Sequence, residues 1–539
     1  MKLPTKLILL AGCATCVASP ALAKTEIHPY LQVQQIIDVP LKGGGDVLTY
    51  TSVGGGVDAT IETRRTQVLV SYNYERRIGY GKNDIGDSDV HSGLVRGSYQ
   101  VVPGFLSIDA GAVATRGRSD IRGAAPNRFG PDDTNISKVY QVFGGPTIST
   151  QLGALDVGAA YRASYTAVNG SNFTPGIGQQ RLDSYDDSLG HNLSASVGMA
   201  PDKLLPFGWN VAGAYSREDA GQLDERFESK GVRGEVVFPV TRSIALVGGV
   251  GYEELKDSRR APVLDTAGNP VVDSKGRFVT NKASPRLLGY NFDGIYWDAG
   301  VQWQPSSRTS VQFAVGRRYG TMSYTGSASW AMSENSGLQL GVYDQVETFG
   351  GQLNGALSSL PTSLSGTTSN GLGQQFGGCT FGRSGKGKTA GGGCLNSALG
   401  SVNTGLFRSR GVSLQFAAQH GRLSYGLGAG YSQRKFLAPN LPGSFSINGA
   451  KDEQYFVDGD IGYALSRRSS ISANAYGAYF DSGLAGAPGV YNAGVSSQYS
   501  HQIGRHLEAN AGLGIYTFQV DGQTGDINMN AQVGMRYSF

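Results

Sequence analysis

The final thirteen residues of the chain alternate between apolar side chains and polar or small ones without a break. The apolar set is Ile527, Met529, Ala531, Val533, Met535, Tyr537 and Phe539, and the intervening set is Asn528, Asn530, Gln532, Gly534, Arg536 and Ser538. Because successive side chains of a β-strand point to opposite faces, this pattern predicts a long strand with one apolar and one polar face. Alternation over that length is typical of a strand that crosses a lipid bilayer.

The same alternation recurs along the chain, and the segments between its repeats take turns in length. Clear alternating segments are 106–115, 155–165, 295–303, 455–465 and 507–515. Short connections fall near 103–104, 152–153, 240–243, 305–308, 334–337, 420–422, 467–469 and 503–505, and long ones at 117–137, 168–188, 257–286, 351–404 and 437–452. Short turns on one side and long loops on the other are typical of transmembrane barrels.

We therefore predict an all-β protein, a transmembrane antiparallel up-and-down β-barrel of about 22 strands (about 18 to 24). A closed sheet suits lipid because it leaves no backbone edge unpaired. The barrel is expected to form one domain over 24–539, with long extracellular loops, notably 257–286 and 351–404. Since the first strand is expected near Glu26, no plug domain is expected before it. Gly at 80 residues and Tyr at 27 also argue against a helical protein.

The N-terminus has the features of a secretory signal peptide. Lys2 and Lys6 precede a short apolar stretch, and Ala21-Leu22-Ala23 matches a cleavage site, so residues 1–23 are predicted to be removed. An alternative is that Leu10-Ala11-Gly12-Cys13 is a lipoprotein signal and that Cys13 is lipidated. The formal net charge of +4 falls to about +2 after cleavage, which is too small to indicate a nucleic-acid partner.

Cys379 and Cys394 are the two cysteines that remain after cleavage, and in an oxidising compartment they are expected to form a disulfide. Closing a ring of about 16 residues would stabilise the loop by about 3 kcal/mol. A structural role is favoured over a redox role.

Other motifs do not have the context that their chemistry needs. Residues 382–389 match the phosphate-binding pattern G-x-x-x-x-G-K-T, but no buried strand precedes them and no helix is expected to follow. Aspartates cluster at 84–89, 132–133 and 186–187 without calcium-loop spacing, so we interpret them as solvated loop charge. No metal or cofactor is expected. The six histidines show no triad spacing, although a site assembled from distant strands is not excluded.

One predicted loop contains an internal repeat of eight residues. Residues 262–269 and 270–277 share the pattern P-V-x-D-x-x-G-x, and each Asp-x-x-Gly reads as a β-turn. A small hairpin above the barrel rim is predicted. A binding flap is the alternative to a structural role.

Charged residues on the polar register of the strands are expected to face the barrel lumen. The predicted lumen-lining set is Arg162, Arg233, Arg536, Asp109, Asp298, Asp458 and Asp460. Such a lumen would pass polar solutes, and its arginines would favour carboxylate or phosphate groups. The alternative is that these charges pair across the lumen and keep it closed.

Two segments resemble known outer-membrane proteins. Residues 294–301 and 315–320, together with the preceding repeat, resemble a family of outer-membrane barrels that accompany PEP-CTERM/exosortase and exopolysaccharide gene sets. Phe539, which ends the last alternating segment, resembles the C-terminal signature of bacterial outer-membrane barrels. The resemblance implies a Gram-negative outer membrane, and with the turn pattern it places both termini in the periplasm. The implied partners are outer-membrane lipid and lipopolysaccharide, the barrel-assembly machinery through Phe539, and polysaccharide. It carries no catalytic residue onto this chain.

The expected function is an outer-membrane channel or export conduit for polar, anionic solutes or polysaccharide. A structural or adhesive surface barrel with a filled lumen is the second class. An outer-membrane hydrolase is the third, and no enzyme is expected.

Overall fold

Most of the chain forms β-strands, because alternating segments recur along it. The computed structural model describes residues 24–80, 88–120, 122, 135–170, 182–333, 335–360, 363–364, 379–384, 389–400, 402, 404–439, 447–484 and 487–539. The predicted signal peptide, residues 1–23, lies outside the described residues.

The barrel wall consists of 22 strands. The first fifteen are β1 (Lys24–Lys42), β2 (Leu48–Glu62), β3 (Thr66–Gly79), β4 (Ser88–Val102), β5 (Leu106–Arg118), β6 (Ile136–Leu152), β7 (Leu155–Asn169), β8 (Asp187–Met199), β9 (Gly208–Ala220), β10 (Arg226–Pro239), β11 (Ile244–Arg259), β12 (Leu287–Ser306), β13 (Thr309–Arg318), β14 (Thr321–Ser333) and β15 (Ser336–Glu347). The last seven are β19 (Leu406–His420), β20 (Leu423–Leu437), β21 (Lys451–Ala464), β22 (Ser469–Asp481), β23 (Val490–Gln502), β24 (Leu507–Val520) and β25 (Asp526–Ser538).

The wall closes on itself. Each strand pairs antiparallel with the next along the chain, β15 pairs with β19, and β1 pairs with β25 from Tyr30–Ser538 to Lys42–Ile527. A closed sheet leaves no free edge. The all-β barrel and its strand number, both predicted from sequence, are confirmed.

The two ends of the barrel differ in their connections. At the short-turn rim, the connections are brief and include 63–65, 103–105, 153–154, 307–308 and 421–422. The loop rim carries the longer connections, such as 260–286 and 348–405. One exception at the loop rim is Tyr319–Gly320, a two-residue turn with φ of 52° and 74°, as a type I′ hairpin requires.

The outer face of the wall is apolar. Outward side chains expose between 42% and 61% of their surface at Val33, Ile108, Val142, Leu193, Val250, Val301, Val457 and Val533. A soluble protein rarely exposes so continuous an apolar surface, whereas lipid solvates it. None of the helices in the described part of the chain is long and apolar enough to cross a membrane.

The connection between β15 and β19, residues 348–405, folds inward, and we call it the inward segment. It contains α1 (Phe349–Ser359), β16 (Ser363–Leu364), β17 (Cys379–Ser384), β18 (Thr389–Cys394) and α2 (Asn396–Leu399). Thr348 caps α1 by accepting a hydrogen bond from the Gly351 amide, 3.1 Å away. The sequence predicted a long outer loop over 351–404; the segment does start and end at the loop rim, but its described helices pack against inward residues of β3–β7.

The loop between β11 and β12 forms a closed cap, residues 261–284, rather than the predicted hairpin. Its backbone makes a ring of three hydrogen bonds: Val271 N to Val263 O (2.8 Å), Val279 N to Val271 O (2.9 Å) and Val263 N to Val279 O (2.8 Å). Residues 278–285, F-V-T-N-K-A-S-P, supply a third repeat in which Asn281 takes the position of Asp265 and Asp273 in the first two. The repeat therefore has three copies, arranged around a pseudo-threefold axis.

The candidate gated lumen

One part of the lumen wall is lined by polar side chains without charge. On β1 and β23–β25, the inward and buried side chains are Gln32, Gln34, Gln498, Asn510, Asn530 and Gln532. These positions alternate with the apolar outward ones, so the polar side chains of each alternating segment line the lumen. Such a surface is suited to water and polar solutes when nothing covers it.

The structure places all seven predicted lumen-lining residues on the inward register, but it divides them among four groups. Arg536 lies at the β1–β25 closure, Arg233 and Asp298 on β10 and β12, Asp109 and Arg162 on β5 and β7, and Asp458 and Asp460 on β21. Only residues within a group interact directly.

Arg233 is neutralised by two carboxylates. Its Nη2 lies 2.7 Å from Asp298 Oδ1, and its Nη1 binds the Glu235 carboxylate. This group therefore presents no free positive charge to a solute.

Arg536 is also neutralised, at the junction of the first and last strands. Its Nη2 donates to Asp58 Oδ2 over 2.7 Å, and its guanidinium lies 3.4 Å from the centre of the Tyr30 ring. Arg536 exposes only 8% of its surface. This contact spans β25, β1 and β2, so it ties together the strands that close the barrel.

The third group contains an excess of positive charge. Arg96 and Arg162 lie 5.2 and 5.0 Å from the centre of the Phe143 ring, an arrangement that suits cation–π attraction. The negative charge of Asp109 attracts the guanidinium group of Arg96. Arg96 donates through Nη2 to Ser358 O at the end of α1, 2.8 Å away. Sequence reasoning missed Arg96, although its position alternates with the outward Val95 and could have been assigned to the lumen.

Asp458 and Asp460 lie on the β21 wall, at successive inward positions. Asp458 accepts a hydrogen bond from Asn474 Nδ2, 3.4 Å away, while Asp460 Oδ1 is buried without a hydrogen-bond partner in the described part of the chain. The lumen thus carries positive charge on the β4–β7 wall and negative charge on β21.

The inward segment is held on the wall by one apolar patch. Phe349, Leu353 and Leu357 of α1 expose 1% or less of their surface. They pack with Leu395 of the returning chain and with wall residues such as Leu94. Burying such side chains stabilises the docked segment by about 2 kcal/mol each.

Polar contacts surround that patch. Thr348 Oγ1 donates to Glu218 Oε2 over 2.5 Å, and Gln141 Nε2 donates to Gly350 O over 3.0 Å. Exchange of such hydrogen bonds with water costs little, since each contributes only about 1 kcal/mol net. These polar contacts therefore add little to the attachment, which depends mainly on the apolar patch.

Near the hairpin of the inward segment, Cys394 is disulfide-bonded, and its backbone register partner is Cys379. Cys394 packs with Ala417 and Phe456 of the inner wall. Residues 382–384 lie in β17 and Thr389 in β18, so the phosphate-binding pattern is followed by a strand and not by a helix. Its central residues 385–388 lie outside the described residues.

At the loop rim, Asp183 links the cap to the neighbouring loops of the barrel. Asp183 accepts hydrogen bonds from Phe278 N (2.9 Å), Gln222 Nε2 (2.6 Å) and Ser184 N (2.9 Å). Burial raises the pKa of Asp183 to about 6 against these bonds. Burial likewise raises the pKa of nearby Glu225 to about 7. These acids hold protons at mildly acidic pH and lose them near neutrality.

Neither a metal centre nor a catalytic triad is formed by the described residues. They contain no group of three or more His, Cys, Asp or Glu side chains that could hold a metal ion. Ser469 Oγ lies 2.9 Å from His501 Nδ1, but within the described ranges no carboxylate is hydrogen-bonded to that ring. This pair lacks the acid that orients the base in a triad.

Comparison with known proteins yields structural likenesses alone. No family model matches the chain, and no curated protein does. The FrpB iron transporter from Neisseria meningitidis (F5-1 variant) is 12% identical, with 95% of this chain and 82% of that chain covered and a TM-score of 0.40. The copper transporter OprC is 12% identical over 97% and 82%, with a TM-score of 0.40. The siderophore receptor PiuA from Acinetobacter baumannii is 9% identical over 94% and 82%, with a TM-score of 0.43. Likenesses this distant carry no argument about cargo, and the fold assignment rests on the closed sheet itself.

Proposed function

We propose that this chain is a gated outer-membrane conduit for polar, anionic solutes in a Gram-negative bacterium, with both termini in the periplasm. The observation that carries the proposal is the inward segment, whose described helices dock on the inner wall of the barrel mainly through one apolar patch. The apolar outer face supports the membrane placement. The resemblance over 294–320 makes polysaccharide the first solute class to try.

The charge pattern gives the conduit its expected preference. Arg233 and Arg536 are paired with acids, whereas Arg96 and Arg162 form no salt bridge in the ranges that the structure describes and lie against the Phe143 ring. Carboxylate- or phosphate-bearing solutes that pass the β4–β7 wall would interact with these two guanidinium groups. Asp458 and Asp460 opposite them would orient a solute with mixed charge.

The test is ion conductance of the refolded protein in a planar bilayer, beside a variant in which residues 349–402 are replaced by a short Gly/Ser linker. A short linker suffices because β15 and β19 are paired up to Glu347–Phe407. We expect rare openings of the full chain and steady conductance of the variant, blocked by an anionic oligosaccharide. A folded but silent variant would contradict the conduit.

A structural or adhesive barrel is the second candidate, because the same segment lies inside the barrel. In that case removal of the segment would leave surface binding unchanged, whereas removal of the cap would abolish it. Binding of cells or polysaccharide to vesicles that carry each variant separates the two functions.

A further inference from the structure

The barrel wall is incompletely paired between β14 and β15. Their ladder runs from Ser333–Ser336 to Gly326–Val342 and stops there. Above that point β14 remains paired with β13, and β15 remains paired with β19 up to Glu347. Five residues of each strand, 321–325 and 343–347, therefore splay apart and leave a notch in the wall at the loop rim.

Two arginines and one aspartate fill the base of this notch. Arg408 binds Asp344 through Nε and Nη2, each over 2.7 Å, and Arg410 Nε lies 3.2 Å from the same carboxylate. Arg410 also donates to Met322 O, 3.0 Å away, and both arginines donate to Thr321 Oγ1. They thus satisfy polar groups at the free upper end of β14.

The notch carries more positive charge than its acid can neutralise. Arg317 is the register partner of Met322, Lys435 is the register partner of Arg408, and both are exposed. Arg408 and Arg410 are the two cations that contact Asp344, whereas Arg317 and Lys435 form no salt bridge within the described part of the chain. Elsewhere on the outer face of the loop rim, Arg76 is paired with Asp89 and Lys230 with Glu254, and Arg217 and Arg226 share Asp219.

The notch lies at the level where lipid headgroups are expected. A row of outward tyrosines crosses β20–β23 through Tyr431, Tyr455, Tyr479 and Tyr491, with neighbouring ring centres 4.4 to 6.3 Å apart. Such rows mark the boundary between acyl chains and headgroups. Tyr431 pairs with Val412, and Arg410 is the next outward residue of β19 towards the loop rim.

Large apolar side chains lie beside these cations on the outer face. Ile295 exposes 73% of its surface, Trp297 49% and Met322 47%, and Trp297 is the register partner of Arg317. A surface on which cationic side chains and large apolar side chains lie together matches an amphiphile with an anionic head.

We propose that this notch binds the phosphate headgroup of a lipid from the surrounding leaflet, with Arg317, Arg410 and Lys435 as the contacting cations. The acyl chain would lie along Ile295, Trp297 and Met322. The site requires only that the barrel spans a membrane and is independent of solute transport.

The test uses Trp297 as the reporter. In a variant that keeps only this tryptophan (W209F/W303F/W330F), quenching is compared in phosphatidylcholine vesicles that contain dibrominated phosphatidylglycerol or dibrominated phosphatidylcholine. We expect phosphatidylglycerol to be preferred beside Trp297 by about five-fold or more. R317Q/R410Q/K435Q should bring this ratio close to one. Arg408 is kept, since its loss would leave the buried Asp344 carboxylate short of a partner.

The matched control R64Q/R308Q/R467Q removes the same charge from exposed turns at the short-turn rim and should leave the ratio unchanged. Equal quenching by both lipids in the unmutated background would overturn the site while supporting the membrane placement. Absence of quenching by either lipid would overturn both. Loss of the preference in millimolar inorganic phosphate would show a site for soluble anions and would overturn the assignment to lipid.

Discussion

Truncation of two leucines in α1 should open the lumen. Leu353 and Leu357 are fully buried in the patch that holds the inward segment on the wall. Leu-to-Ala changes at buried sites cost about 3 to 5 kcal/mol, depending on how far the cavity collapses. Since the two side chains are one helical turn apart, their costs should add incompletely, to about 5 kcal/mol for the pair.

A cost of about 5 kcal/mol is enough to shift the inward segment from mostly docked to mostly released. Moving a two-state equilibrium from 1:99 to 99:1 takes about 5.5 kcal/mol. A segment that is released about 1% of the time in the unmodified protein should therefore be released most of the time in L353A/L357A. The barrel wall itself should persist, because its backbone ladder does not depend on α1.

The assay is open probability in planar bilayers, with heat-modifiable gel migration as the measure of a folded barrel. Leu513→Ala is the control, since Leu513 exposes 58% of its surface on the outer face and the chemical change is the same. A folded double variant with unchanged open probability would refute the view that the apolar patch holds the lumen closed.

Three further predictions concern the rim, the closure and the cap. Asp183 has a folded-state pKa of about 6, above its ordinary 3.8, so its stabilisation of the rim is complete below pH 3.8 and is lost, by up to about 3 kcal/mol, as pH rises through 6. The protection of the cap amides, measured as the exchange rate relative to the intrinsic rate at each pH, should fall over this range, and Asp183→Asn should flatten the profile. Arg536→Gln leaves Asp58 without its cation and should cost about 3 kcal/mol, seen as a lower temperature for loss of the folded gel band; an unchanged temperature would count against a role in closure. Asp273→Ala should loosen the cap, measured by protease cleavage, more than Asp265→Ala does, because only Asp273 also binds an arginine side chain; equal cleavage rates would contradict this.

The strands were predictable because their signal is local. The alternation near the C-terminus predicts which side chains face outward, and Val533, Met535 and Tyr537 are indeed exposed on the outer face. The strand number followed from counting such segments. The partners of Arg233 did not follow, since Asp298 lies 65 residues away and its position depends on the register of β10, β11 and β12.

The inward segment could not be predicted from composition, because a Gly- and Ser-rich connection looks the same whether it points outward or inward. One signal was available: Phe349, Leu353, Leu357 and Leu360 have helical spacing and together form an apolar face. The third copy of the cap repeat was missed for a similar reason. Phe278 and Asn281 differ from the Pro and Asp of the other copies but occupy equivalent positions in the backbone ring.

The closed ring of the cap requires three copies of the eight-residue repeat. Each eight-residue copy donates a backbone hydrogen bond to another copy, and the ring closes because the third copy meets the start of the first. Asn281 N is bonded there to the oxygen of Ala261, the residue before the first copy, at 2.9 Å. Duplication or loss of one copy would therefore leave an open ring with unpaired amides, so copies cannot be gained or lost singly without cost. Because entry and exit are adjacent, however, the whole ring can be transplanted to another hairpin without spreading its strands. The whole cap is thus a unit that evolution can exchange for another loop in one step.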